Sequence, residues 1–214
     1  MSEIECVLPE EIEKRSMAII SEELTKQGIC LDPAQEPVIK RAIHTTADFD
    51  YAHTLTFSKD AVSIAHKLIR GGANLVTDTN MALAGINKKK LGSFGGQVYC
   101  FMADEQVAAF AKERHVTRAA VSMEKAADLK GPVIFVIGNA PTALIRLYEM
   151  MEEGIYRPDF IIGVPVGFVN VEAAKELILK TDVPYIINRG RKGGSNVAAA
   201  ICNALLYTCP LFGG

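Results

Sequence analysis

Most of the usual sequence signatures of chemistry are missing from this 214-residue chain. Its five cysteines, Cys6, Cys30, Cys100, Cys202 and Cys209, are scattered and form no CxxC pair. Closely spaced Cys and His ligands are lacking too, so no zinc site and no disulfide framework is expected. Reduced thiols in a cytoplasmic protein are the natural reading. Neither GxxxxGK[ST] nor GxGxxG occurs, which removes the standard nucleotide-phosphate cradles. A net charge of −2 provides no field for nucleic acid or an anionic membrane, and neither partner is expected. The longest apolar runs, VIFVIG and FIIGVPVGFV, are too short and too rich in glycine and proline to span a bilayer. The opening MSEIECVLPEEIEKR is acidic and polar, unlike a secretory signal. Repeats, low-complexity tracts and linkers are absent, so one domain over 1–214 is expected.

What is present is a globular composition, 49% apolar and 22% charged, enough for one good-sized core. Apolar residues at three- and four-residue spacing predict helices over 10–27, 34–44, 59–70, 104–114, 117–128, 141–153, 171–180 and 195–207. Between the later ones lie ANLVTD, QVYCFM, PVIFVIG, DFIIGV and VPYIIN, short β-branched runs suited to parallel strands covered on both faces. The alternation of Tyr51, His53, Leu55 and Phe57 in FDYAHTLTF suggests one further strand. Ser58 is the expected N-cap of the helix after it, while Pro141 and Gly154 bracket another helix. The fold class is therefore α/β: a single-domain, mainly parallel sheet flanked by helices, three-layered and Rossmann-like without the dinucleotide fingerprint.

In such a sheet, ligands bind beyond the carboxyl ends of the strands. The loops there are TDTNM (77–81), GNAPT (138–142), GVPVGF (163–168) and NRGRKGGS (188–195). They offer N–H groups and helix N-termini to carboxylates or phosphates, although many α/β proteins use glycine-rich loops only to turn. NRGRKGGS places Arg189, Arg191 and Lys192 beside Gly193 and Gly194, as a mobile basic flap over an acidic ligand would, or as a solvated turn would. Asp78 either orients a ligand or caps the next helix, the ordinary role for an aspartate there. Arg118 lies at a helix start after a basic turn, where solvation is the common outcome. Among the histidines, His66 and His115 read as exposed on amphipathic helices, and His53 has no evident partner. His44, followed by Thr45 and Thr46, is ordinarily structural on such a background; its chemistry alone makes it a candidate general acid held by a neighbouring hydroxyl.

Several segments together carry a resemblance. RAIHTTADFDYA around His44, TDTNMALAGIN at 77–87, GNAPTALIRLYEMM at 138–151, GVPVGFVNVEAAKELI at 163–178 and RGRKGGSNVAAAICNALL at 189–206 come in one order. The chain resembles the precorrin-8X methylmutase family, also called cobalt-precorrin-8 methylmutase, from about residue 10 onward. The resemblance implies an isomerase that moves a methyl group from ring carbon 11 to ring carbon 12 of a modified tetrapyrrole. The corrinoid product would be hydrogenobyrinic acid or cobyrinic acid. The family's general acid lies in an IHATGDFD-like motif, here IHTTADFD, which places the role on His44; Thr45 and Ala47 depart from the commoner motif. By the same likeness, Arg15, Ser16, Arg41, Thr45, Asp78, Arg118, Gly193, Gly194 and Ser195 would bind the polycarboxylate substrate. No protein-bound cofactor and no protein-held metal is implied, any cobalt belonging to the substrate, and a homodimer is.

Three rivals differ in kind. A non-catalytic carrier would hold the finished corrinoid without turning it over. A nucleotide-dependent α/β enzyme would bind phosphate at NRGRKGGS and leave His44 idle. An axial cobalt ligand at His44 would change the spectrum of the bound cobalt form.

Overall fold

The computed structural model describes residues 8–210; Cys6 lies outside the described residues. Helices α1 (Ile12–Lys26) and α2 (Glu36–Thr46) come first, then a helical turn α3 (Tyr51–Thr54) that runs into β1 (Leu55–Phe57). There follow α4 (Ala61–Arg70), β2 (Asn74–Thr77), α5 (Asn80–Gly85), α6 (Lys88–Gly92), β3 (Val98–Tyr99), α7 (Glu105–Glu113) and α8 (Arg118–Ala126). The chain closes with β4 (Val133–Ile137), α9 (Pro141–Glu152), β5 (Phe160–Gly163), α10 (Val171–Leu179), β6 (Tyr185–Asn188) and α11 (Ser195–Thr208). The strands form one sheet in the order β1-β6-β5-β4-β2-β3. Five of them run parallel and β1 lies antiparallel to β6 at one edge.

Successive strand residues point to opposite faces, so each strand feeds two cores. Ile134 and Val136 pack with residues of α1, α2, α4 and α11, whereas Val133, Phe135 and Ile137 pack with α8, α9 and α10. All five β4 residues are buried, which explains why the run has no polar alternation. Full burial of a side chain such as Phe135 or Leu144 contributes roughly 1.5–3 kcal/mol. The three-layer α/β architecture expected from the sequence is the one observed.

The departures are local. In FDYAHTLTF only 55–57 is strand, because the Asp50 carbonyl accepts the N–H groups of His53 and Thr54 (both 2.9 Å) and closes a helical turn. QVYCFM is strand only at Val98 and Tyr99; its single neighbour is β2, and the chain turns away after Tyr99. Ser58 does not cap α4. Its hydroxyl accepts the Tyr185 N–H (2.9 Å) and ties that segment to β6, while Asp60 takes the cap position at φ 55°. His66 is half-buried rather than exposed, its ring 3.1 Å from the Thr208 hydroxyl. No helix among the described residues is long and apolar enough to cross a membrane.

Candidate functional site

The loops after β2, β4, β5 and β6 leave the same end of the parallel sheet. Asp78 joins two of them. It is buried and its carboxylate accepts the N–H groups of Gly138 (2.8 Å), Asn139 (2.8 Å) and Ala140 (2.6 Å). Burial pushes this carboxyl above its usual range, and the three N–H donors pull it back. Asp78 therefore does not cap α5; Thr79 does, accepting the Ala82 N–H (3.1 Å). The Thr79 hydroxyl also lies 2.7 Å from that of Ser195, linking the β2 loop to the start of α11.

The NRGRKGGS turn, expected as a mobile flap, is tied from several sides. Lys175 of α10, wholly buried, donates to the carbonyls of Gly190 (2.7 Å) and Lys192 (2.9 Å). Burial brings its pKa down to about 8. Asn188, also buried, donates to the Lys192 carbonyl (2.8 Å) and accepts from the Thr54 hydroxyl (2.7 Å). Gly193 packs so closely on the β5 loop that a Cβ there would sit 2.1 Å from the Val164 oxygen, and the Gly194 N–H donates to that same oxygen (2.9 Å). Two of the three cations of the turn have partners as well. Arg191 pairs with Glu172 (3.3 Å) and stacks over Phe168, and Lys192 bridges Asp48 (2.6 Å) and Asp50 (2.5 Å). That bridge holds the Asp48 carboxyl below its usual range and raises the Lys192 ammonium above its own.

His44 occupies the last turn of α2 and is exposed. The helix stops because Ala47 adopts a left-handed conformation (φ 54°), its N–H returning to the Ile43 carbonyl (2.7 Å). The Thr46 hydroxyl is engaged with the Ala42 carbonyl (2.8 Å), whereas Thr45 stays exposed beside His44. Arg41, His44 and Thr45 form one wall of a cleft of about 300 Å³. Gly85 at the end of α5 and a stripe of α11 (Asn196, Ala199, Ala200, Asn203, Tyr207) form the rest. That stripe follows helical spacing, with small residues in the middle and polar ones at the ends. Asn203 is fixed by the Asn87 N–H (2.8 Å) and the Gly85 carbonyl (2.9 Å). The Arg41 guanidinium lies 5.4 Å above the Tyr207 ring and reaches Glu13 (2.7 Å).

The expected site residues thus divide. His44, Arg41 and Thr45 share the cleft, with Gly194 and Ser195 immediately before its Asn196. Asp78 lies beneath the loops, bound to backbone. Arg15 and Ser16 sit on α1, which packs against α2, outside the cleft lining; the Ser16 hydroxyl donates to the Ile12 carbonyl (2.9 Å). Arg118, the first residue of α8, lines a different groove with Lys112 and Val116. A larger groove of about 530 Å³ holds Arg114, Glu124, Arg146 and Glu149, whose charges are paired with one another. Asn196, Asn203 and Tyr207 were not foreseen, although the spacing of polar residues along an otherwise apolar helix marks their face.

A mainly parallel α/β sheet with a cleft carrying a histidine, an arginine, hydroxyls and carboxamides has the groups that acid–base work on a polar small molecule would use. The family described as Precorrin-8X methylmutase matches residues 11–208, and the chain belongs to that family. It is accordingly an isomerase, moving a methyl group within one molecule. It is similar to the cobalt-precorrin-8 methylmutases of Salmonella typhimurium (43% identical, covering 93% of this chain and 95% of the relative) and Priestia megaterium (41%; 93% and 88%). The precorrin-8X methylmutase of Pseudomonas aeruginosa is 39% identical over 91% of this chain and 93% of its own. The solved precorrin-8X methyl mutase of Thermus thermophilus superposes with a TM-score of 0.84 at 36% identity, covering 93% of this chain and 97% of that one.

Proposed function

We propose that the chain moves the methyl group of (cobalt-)precorrin-8 from ring carbon 11 to ring carbon 12, with His44 as general acid. The observation that carries this reading is the exposed His44 at a cleft furnished by Arg41, Thr45, Asn196 and Asn203. Protonating a ring nitrogen near the acceptor carbon withdraws electron density, so the bond to carbon 11 breaks as that to carbon 12 forms, and the nitrogen then returns its proton to His44, which leaves product and substrate isomers. Histidine suits the step because its charge changes near neutrality. Arg41 would meet a peripheral carboxylate, and the apolar floor of Ala199 and Ala200 would take one edge of the macrocycle. Arg15, Ser16, Arg118 and the Gly193–Ser195 segment are assigned substrate contacts by family likeness. We infer further that the chain forms one domain over 1–214 and acts in the cytoplasm as a homodimer, with no protein-bound cofactor and no nucleic-acid partner. Exposed Phe168 and Val169, beyond β5, support the dimer.

The test is incubation of the purified protein with the methylated tetrapyrrole precursor, with and without cobalt, followed by absorbance and mass. A spectral shift at unchanged mass is expected. His44→Ala should lower its rate by about 10² to 10⁴ with binding retained. Tight binding without a shift in either protein would leave a corrinoid carrier instead.

A further inference from the structure

Lys175 takes no part in the cleft, yet it is among the largest wholly buried side chains of the molecule. An apolar residue could fill the same space on α10 without the cost of bringing a charge out of water. The ammonium is instead aimed at the Gly190 and Lys192 carbonyls, both in the turn that leads into α11. The residue whose carbonyl it grips then reaches outward, its own Nζ bridging Asp48 and Asp50. Asp48 directly follows the left-handed Ala47 that ends the His44 helix, and Asp50 comes two residues later. The Asp48 N–H is in turn held by the Thr46 hydroxyl (3.2 Å). An unbroken run of contacts therefore leads from the far core, through the main chain and side chain of Lys192, to the end of α2.

We propose that Lys175 is a positioning residue for the His44 chemistry, acting through the Lys192 bridge to Asp48 and Asp50. The proposal rests on the reading of His44 as the acid. A buried charge is suited to this work because it fixes two carbonyls in one place, and a bridge that starts from a fixed turn holds its far end in register.

A double-mutant cycle on the full chain tests the link. Lys175→Met is expected to lower kcat about tenfold or more and Lys192→Met about fivefold, with KM changing less than twofold in each. The double variant should be little slower than Lys175→Met, because the second change acts on a path the first has already loosened, with the Asn188 bond to the Lys192 carbonyl retained throughout. Amide exchange read alongside should quicken at 47–50 and 190–194 in Lys175→Met, but only at 47–50 in Lys192→Met. Losses that multiply, or unchanged exchange at 47–50 in Lys175→Met, would overturn the proposal and leave Lys175 a packing residue. If Lys175→Met does not fold, Lys175→Gln, which keeps two N–H donors, carries the same cycle with smaller losses. Turnover retained in His44→Ala would sink the His44 reading separately, with the exchange data still deciding whether the link exists.

Discussion

Gly190 and Gly193 stand three residues apart in one turn, both at positive φ (+73° and +158°), and their surroundings could hardly differ more. A Cβ added to Gly190 meets nothing within 4 Å; one added to Gly193 lies 2.1 Å from the Val164 oxygen and 2.9 Å from that of Pro165. Gly190→Ala should therefore bear only the left-handed penalty of about 1 kcal/mol. Gly193→Ala adds a collision with backbone, which cannot rotate aside as a side chain can. The turn must shift and the Gly194 N–H bond to Val164 must lengthen or break, for at least about 3 kcal/mol in all. At about 2–4 °C per kcal/mol for a chain of this size, the expected falls in Tm are about 3 °C and about 10 °C. Thermal unfolding followed by circular dichroism, with turnover measured at 25 °C, reads both. Activity should survive in Gly190→Ala and fall in Gly193→Ala, because the displaced turn carries α11 and its Asn196 with it. Equal Tm losses, or a smaller loss at 193, would refute the reasoning.

Asp78→Asn keeps one oxygen for the Asn139 and Ala140 N–H groups but turns an N–H₂ toward the Gly138 N–H, and should lower stability by about 1–3 kcal/mol. An unchanged urea midpoint would contradict that. Ala47→Gly relieves the left-handed strain at the end of α2 and should add about 0.5–1 kcal/mol, seen as a higher urea midpoint at unchanged slope. For Lys175, with its pKa lowered from 10.5 to about 8, the sign is unusual. Below about pH 8 both states are protonated and folding bears the whole cost of burying the charge. Between 8 and 10.5 the unfolded chain holds more protons, so stability rises with pH. From about pH 7.5 to 9.5 the wild type should gain about 2 kcal/mol over Lys175→Met, and a gap that stays constant would exclude a buried ammonium.

What could be read from the sequence was whatever is carried by neighbours along the chain. The uniformly apolar β4 run identified itself by composition and the amphipathic helices by period, and His44, Arg41 and Thr45 share one helical turn, so their grouping needed no fold. The misread strand at 51–54 had the right alternation, but alternation does not count the two N–H bonds that the Asp50 carbonyl accepts. The support of the site was hidden for a different reason. Asp78 looks like a cap until β2 and β4 are known to be adjacent, and its three donors then lie in the next strand's loop. Lys175, flanked by glutamates in VEAAKELILK, has the look of a solvated lysine, and only the turn folded over α10 buries it. Lys192 makes the point most sharply. Beside two glycines it reads as a cation kept for an anionic ligand, whereas the fold brings Asp48 and Asp50, some 140 residues earlier, against it. The anion it was expected to await is supplied by the chain itself, as Glu13 supplies one to Arg41 at the cleft.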